Sequence, residues 1–97
     1  MRLKNKVSIV TGASKGIGKS IAEKFASEGS KVSICSRNSS KEEGIQVVNE
    51  IIKKGGEAIY SAIDVSNYSE VEDLFKNTID QWGHIDILVN NAGIGML

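Results

Sequence analysis

The sequence predicts an α/β protein, a parallel sheet covered by helices on both faces. Three observations carry that expectation. Apolar runs of strand length alternate with segments whose apolar residues recur at helical spacing. The stretches joining successive strands are long enough to cross over and return, which parallel pairing requires. Three glycines, Gly12, Gly16 and Gly18, crowd the turn between the first strand and the first helix, where glycine admits positive φ and lets a bulky anion approach the main chain.

Taken in order, Val7, Ile9 and Val10 form the first strand, and Val10 to Lys19 is the glycine turn. The first helix then carries Ile17, Ile21, Ala22, Phe25 and Ala26 on one side, and Gly29 stops it. Lys31 to Ser36 reads as the second strand, with Arg37-Asn38-Ser39-Ser40 as its exit loop. Ser39 or Ser40, three residues ahead of Glu42 or Glu43, is a capping-box signature that predicts a second helix. Ile45, Val47, Val48, Ile51 and Ile52 give that helix a broad buried face; Gly44 within it costs about 1 kcal/mol relative to Ala, and Gly55-Gly56 ends it. Glu57 to Ile63 is the third strand, with Ala58, Tyr60 and Ala62 on one face and Ile59, Ser61 and Ile63 on the other. Asn67 with Glu70 caps a third helix along Tyr68, Val71, Leu74, Phe75, Thr78, Ile79 and Trp82, closed by Gly83. Ile85 to Asn90 is the last strand, and its unbroken Ile87-Leu88-Val89 suits burial on both faces.

Bulk properties narrow the function. A chain of 97 residues makes at most one modest domain and buries roughly 60 to 65% of its unfolded surface. Twelve basic residues cancel twelve acidic ones, so no broad field draws the protein to nucleic acid or to a membrane. Cys35 is the only cysteine and sits in an apolar run, which points to a packing role and a reducing, cytoplasmic setting. Cys35 and the single histidine, His84, lack metal-ligand spacing, and His84 reads as a loop residue. The N-terminal stretch has no long apolar core, so neither a signal peptide nor a membrane span is expected.

In doubly wound sheets, ligands sit beyond the carboxyl ends of the strands. The glycine turn, Arg37, Asp64 and Asn91 all fall at such ends. The first amides of the helix have no internal partner and face the turn, making a phosphate its natural guest. Gly18-Lys19-Ser20 matches the end of the ATPase phosphate loop, but that motif needs a glycine where Ala13 stands. Lys19 is therefore read as a solvated helix residue.

Thr11-Gly12-Ala13-Ser14-Lys15-Gly16-Ile17-Gly18, then Asp64-Val65, then Asn90-Asn91-Ala92-Gly93, resemble in order and spacing the N-terminal half of the short-chain dehydrogenase/reductase family. The resemblance covers essentially the whole chain and looks closest to reductases of the 3-oxoacyl-acyl-carrier-protein type. It implies a Rossmann-like sheet of order 3-2-1-4, a pyrophosphate over Gly12 to Gly18, and a ribose near Ser14 and Asn91. Asp64 and Val65 would flank the adenine, the carboxylate facing its exocyclic amine. Thr11 would hold the turn and Asn90 would brace the central strands. Cofactor-binding residues expected on this basis are Gly12, Ser14, Lys15, Gly16, Ile17, Gly18, Ser36, Arg37, Asp64, Val65, Asn91, Ala92 and Gly93.

The expected cofactor is NADP(H) rather than NAD(H). An NAD-selective site places a carboxylate at the exit of the second strand for the ribose hydroxyls, whereas this chain has Ser36 followed by Arg37. Lys15 approaches the same region from the glycine turn, giving two cations and no nearby acid. A carbonyl or alcohol substrate and a homo-oligomeric whole protein are further implications of the resemblance.

The family's catalytic Ser and Tyr-x-x-x-Lys have no counterpart here: four residues after Tyr60 stands Asp64, and four after Tyr68 stands Glu72. Neither tyrosine has the lysine that would lower its pKa. No catalytic residue is expected, and residues 1–97 read as a cofactor-binding half-domain that stops before the catalytic segment. The alternative is a fragment that holds a dinucleotide and performs no chemistry. The isolated chain is therefore expected to turn over no NADPH with any ketone; oxidation that a substitution within the chain abolishes would contradict this.

Overall fold

The computed structural model describes residues 2–92. At its centre is β1 (Val7–Thr11), buried along its whole length because it is flanked by strands on both edges. β2 (Lys31–Ser36) pairs on one side and β4 (Ile87–Val89) on the other, while β3 (Glu57–Ala62) lies outside β2. All pairs are parallel and the order is β3-β2-β1-β4, the order implied by the resemblance.

Strand alternation divides the core into two layers. Val10, Val32, Ile34 and Ala58 face α1 (Gly16–Ser27) and α2 (Lys41–Lys53), where they meet Ala22, Val47, Val48 and Ile51. Ile9, Cys35 and Ile63 face α3 (Tyr68–Trp82) and meet Leu74. The chain winds outward from β1 to β3, then α3 crosses the opposite face and delivers β4 to the other edge of β1. Right-handed crossovers require that change of face once the winding direction reverses.

The helix boundaries largely follow the sequence signals. α3 begins at Asn67, whose side chain accepts a hydrogen bond from the Glu70 amide at 3.3 Å, and it ends at Gly83. The capping box proposed for α2 does not form. Asn38–Ser40 makes a single 3-10 turn instead, closed by the Ser40 amide on the Arg37 carbonyl, and Ser40 precedes α2 without a side-chain cap bond.

Three packing expectations are also corrected. Ile17 stands 68% exposed, because the first turn of α1 lies beyond the carboxyl edge of the sheet, where no strand supports it. On α2 the buried positions are Gly44, Val47, Val48 and Ile51, while Ile45 and Ile52 flank that stripe in solvent. β4 is shorter than Ile85 to Asn90 and is not buried on both faces: Leu88 remains 52% exposed. Among the described residues β4 pairs with β1 alone.

Gly44 has a packing reason that helix propensity conceals. A Cβ there would run into the Tyr60 ring, whose hydroxyl is held by Ser36 at 2.7 Å. Gly44→Ala gains about 1 kcal/mol of propensity, but crowding a pinned aromatic costs about 1 to 3 kcal/mol. A net loss of about 1 kcal/mol in chemical denaturation is expected, and a stabilised variant would show that the ring can move aside. For these 97 residues in isolation, the edge of β4 that no described strand pairs, together with the exposed Leu88, leads us to expect self-association. Light scattering that finds a monomer at high concentration would contradict it.

Candidate functional site

The register of the sheet assembles the site. Val10 pairs with Val89, so the segment leaving β4 runs beside the segment leaving β1. There the Thr11 hydroxyl lies 3.3 Å from Asn90 Oδ1 and 3.4 Å from the Val89 carbonyl, and it accepts the Ala92 amide at 3.0 Å. Asn91 Nδ2 donates to the Gly12 carbonyl at 3.1 Å. The Ala13 amide donates to the Cys35 carbonyl at 3.1 Å. The glycine turn is thus tied to β4 on one side and to β2 on the other.

Two glycines serve this arrangement in different ways. Gly18 fits because a Cβ would land on the Gly12 carbonyl and within 2.6 Å of Asn91 Nδ2, so only a bare Cα lets α1 approach the turn. Gly16 has φ of +62°, and a Cβ there would meet nothing within 4 Å. Its open side leaves the backbone approachable at the start of α1, where helix amides lack partners. A phosphate fits that geometry.

Beyond the strand ends lies a cleft of about 220 Å³ lined by Gly12, Ser14, Lys15, Ser36, Arg37, Val65 and Ala92, with Cys35, Ser40 and Ile63. Seven of the thirteen expected residues therefore share one wall system. The other expected positions sit differently. Gly16 and Gly18 shape the turn, Ile17 faces solvent, and the side chain of Asn91 braces Gly12. Gly93 lies outside the described residues. Cys35, Ser40 and Ile63 are not among the site residues expected from the sequence, although Cys35 and Ile63 lie at the carboxyl ends of β2 and β3, a signal that points to them.

Charge around the cleft is unevenly divided. Lys15 and Arg37 line it without a carboxylate among its lining residues. On its other side, Arg37 borders a cavity of about 400 Å³ shared with Asp64 and Glu70, so the expected absence of nearby acid holds only on the cleft side. Asp64 Oδ1 accepts from the Ser66 hydroxyl at 2.6 Å and the Ser66 amide at 2.9 Å. These bonds, with a smaller contribution from the Arg37 charge, lower its pKa, keeping it an acceptor at neutral pH. Burial pushes the Cys35 thiol up to about 11, which keeps it protonated and unreactive. Among the described residues no group of three His, Cys, Asp or Glu side chains could hold a metal ion, and no helix is long and apolar enough to cross a membrane.

Comparison with known proteins agrees with this geometry. The family model described as short chain dehydrogenase matches residues 6–97. A 3-oxoacyl-[acyl-carrier-protein] reductase of Synechocystis sp. is 50% identical over 88 residues, covering 91% of this chain and 35% of that protein. A hydroxynaphthalene reductase-like protein of Metarhizium guizhouense is 41% identical, over 94% of this chain and 34% of its own length. The chain thus spans about a third of the length of these curated relatives. A hydroxysteroid dehydrogenase structure from Escherichia coli superposes with a TM-score of 0.89 at 41% identity, covering 95% of this chain and 37% of that one. A metagenomic short-chain oxidoreductase solved in complex with NADP gives a TM-score of 0.88 at 39% identity, covering 96% of this chain and 41% of that one. With its glycine turn, its Asn-Asn-Ala exit from β4 and a family match over nearly its full length, the chain belongs to the short-chain dehydrogenases.

Proposed function

We propose that this chain is the cofactor-binding portion of an NADP(H)-dependent oxidoreductase that interconverts carbonyl and hydroxyl groups. The observation that carries the cofactor choice is the pairing of Lys15 and Arg37 on a cleft with no carboxylate in its lining. The 2′-phosphate is the feature that distinguishes NADP(H) from NAD(H), and it needs cations where NAD-selective sites carry an acid. The names of the relatives, two of them reductases, and the NADP complex of a structural neighbour support the reading. When bound, the nicotinamide would give the hydride in carbonyl reduction and take it in alcohol oxidation. This chain's own residues bind and orient: the Gly12–Gly18 turn cradles the pyrophosphate, Val65 flanks the adenine, and Lys15 and Arg37 take the 2′-phosphate. The residues that polarise the substrate carbonyl belong, in this reading, to a segment of the whole protein beyond the half-domain.

Charge-assisted hydrogen bonds contribute roughly 1.5 to 3 kcal/mol each. Two of them favour the phosphorylated cofactor by about two orders of magnitude or more. Titrating NADP⁺ and NAD⁺ into the protein and into the Lys15→Ala/Arg37→Ala variant tests this. We expect a preference for NADP⁺ that collapses in the variant while NAD⁺ binding barely changes; an initial preference for NAD⁺, or one for NADP⁺ that survives both substitutions, would refute the clamp.

A further inference from the structure

We propose that Tyr60 is a positioning residue for cofactor selectivity: through Ser36 it fixes the turn that presents Arg37 to the cleft. The inference rests on the cofactor reading above and assigns Ser36 a different part in it. Ser36 stands where a carboxylate would mark an NAD site, yet it is only 7% exposed and its hydroxyl is turned inward. Ser36 Oγ lies 2.7 Å from Tyr60 Oη and 3.3 Å from both the Arg37 and Ser40 carbonyls.

The two hydroxyls have two protons to place. If Tyr60 donates to Ser36, the Ser36 proton is free for a carbonyl of the Arg37–Ser40 turn, and each hydroxyl has an acceptor. In the reverse arrangement Ser36 donates to Tyr60, Tyr60 is left with only the Ser36 carbonyl at 3.5 Å, and neither turn carbonyl receives a proton from the pair. The first arrangement uses the shorter contacts. It leaves Ser36 with no proton for a ligand and makes it a relay between β3 and the turn.

The tyrosine is itself held in place. Its ring packs against the bare backbone of Gly44 in the first turn of α2 and against the core between the sheet and that helix. Tyr60 thereby ties the end of β2, the 3-10 turn and the start of α2 together. Arg37 begins that turn with φ of −64° and ψ of 154°, and among the described residues its side chain makes no ion pair within 4.0 Å. The backbone of the turn sets where the Arg37 side chain leaves the main chain. Lys15 belongs to the glycine turn and does not depend on this linkage. Loss of the Tyr60 hydroxyl should therefore weaken recognition of the 2′-phosphate and leave the rest of the dinucleotide unaffected.

Tyr60→Phe keeps the ring and its contact with Gly44 and removes only the oxygen. Measured by calorimetric titration of the full chain, the Kd for NADP⁺ should rise about five- to tenfold, with that for NAD⁺ changing less than twofold. Ser36→Ala should show the same selective loss, and Ser36→Ala/Tyr60→Phe no more than either alone, because the two act as one unit. Equal weakening of both cofactors, or losses that add in the double variant, would reduce Tyr60 to a packing residue and overturn the proposal. A wild-type preference for NADP⁺ that is undiminished in Tyr60→Phe overturns this inference alone; a wild-type protein without that preference overturns the clamp and the inference together.

Discussion

The cleft depends on the junction between the exits of β1 and β4, where Thr11 and Asn91 fasten the glycine turn. Thr11 is central because one hydroxyl serves both directions: it donates toward the Val89–Asn90 segment and accepts the Ala92 amide. Asn91 completes the tie by donating to Gly12. These contacts join residues about eighty positions apart, so the conformation of the turn is not a local property of its glycines. It exists once β4 has paired in register with β1, and loss of that pairing would remove the floor of the cleft as well as an edge of the sheet. Binding geometry and tertiary stability are coupled at this point.

Arg37 marks the electrostatic boundary of the site. On one side it shares the cleft with Lys15; on the other it borders the cavity of Asp64 and Glu70. The acids are restrained: Asp64 is engaged by Ser66, and Glu70 accepts the Asp64 amide at 3.1 Å. A carboxylate that already receives two short hydrogen bonds has less to gain by turning toward Arg37, and among the described residues Arg37 makes no ion pair within 4.0 Å. The division of charge therefore rests on local turn chemistry after β3 as much as on the number of cations.

Polar groups inside the core follow the same economy. Ser8 and Ser30 share a hydrogen bond of 2.9 Å at the amino end of the sheet, and Thr78 Oγ1 lies 2.8 Å from both Ser33 Oγ and the Leu74 carbonyl. Ser8, Ser33 and Thr78 are fully buried, and a buried hydroxyl without a partner costs about 1 to 3 kcal/mol. The Thr78–Ser33 pair joins α3 to β2. At the same end Asp86 accepts the Val7 amide at 2.9 Å and pairs with His84 at 3.0 Å. The first of these contacts, chiefly, lowers the Asp86 pKa. Its contribution to holding β4 on β1 is thus present above the ordinary carboxylate range and fades as pH falls through the lowered value.

By itself the sequence determined the element order, the two-layer core, the helix stops and the Asn67 cap, because those follow from spacing and from residues acting on their near neighbours. It also marked the strand ends where the cleft forms and the two cations beside it. Tertiary structure alone decided the rest. Whether Ile17, Ile52 and Leu88 are buried depends on what lies opposite them, and periodicity does not report where a sheet ends. Ser40 forfeited its cap to a 3-10 turn whose carbonyls meet the Ser36 hydroxyl. The fit of Gly44 is decided by the Tyr60 ring packed against it, and the Ser36 hydroxyl meets that tyrosine from the neighbouring strand. Each of these outcomes was set by a partner distant in sequence, and a local pattern carries no information about a contact made across the sheet.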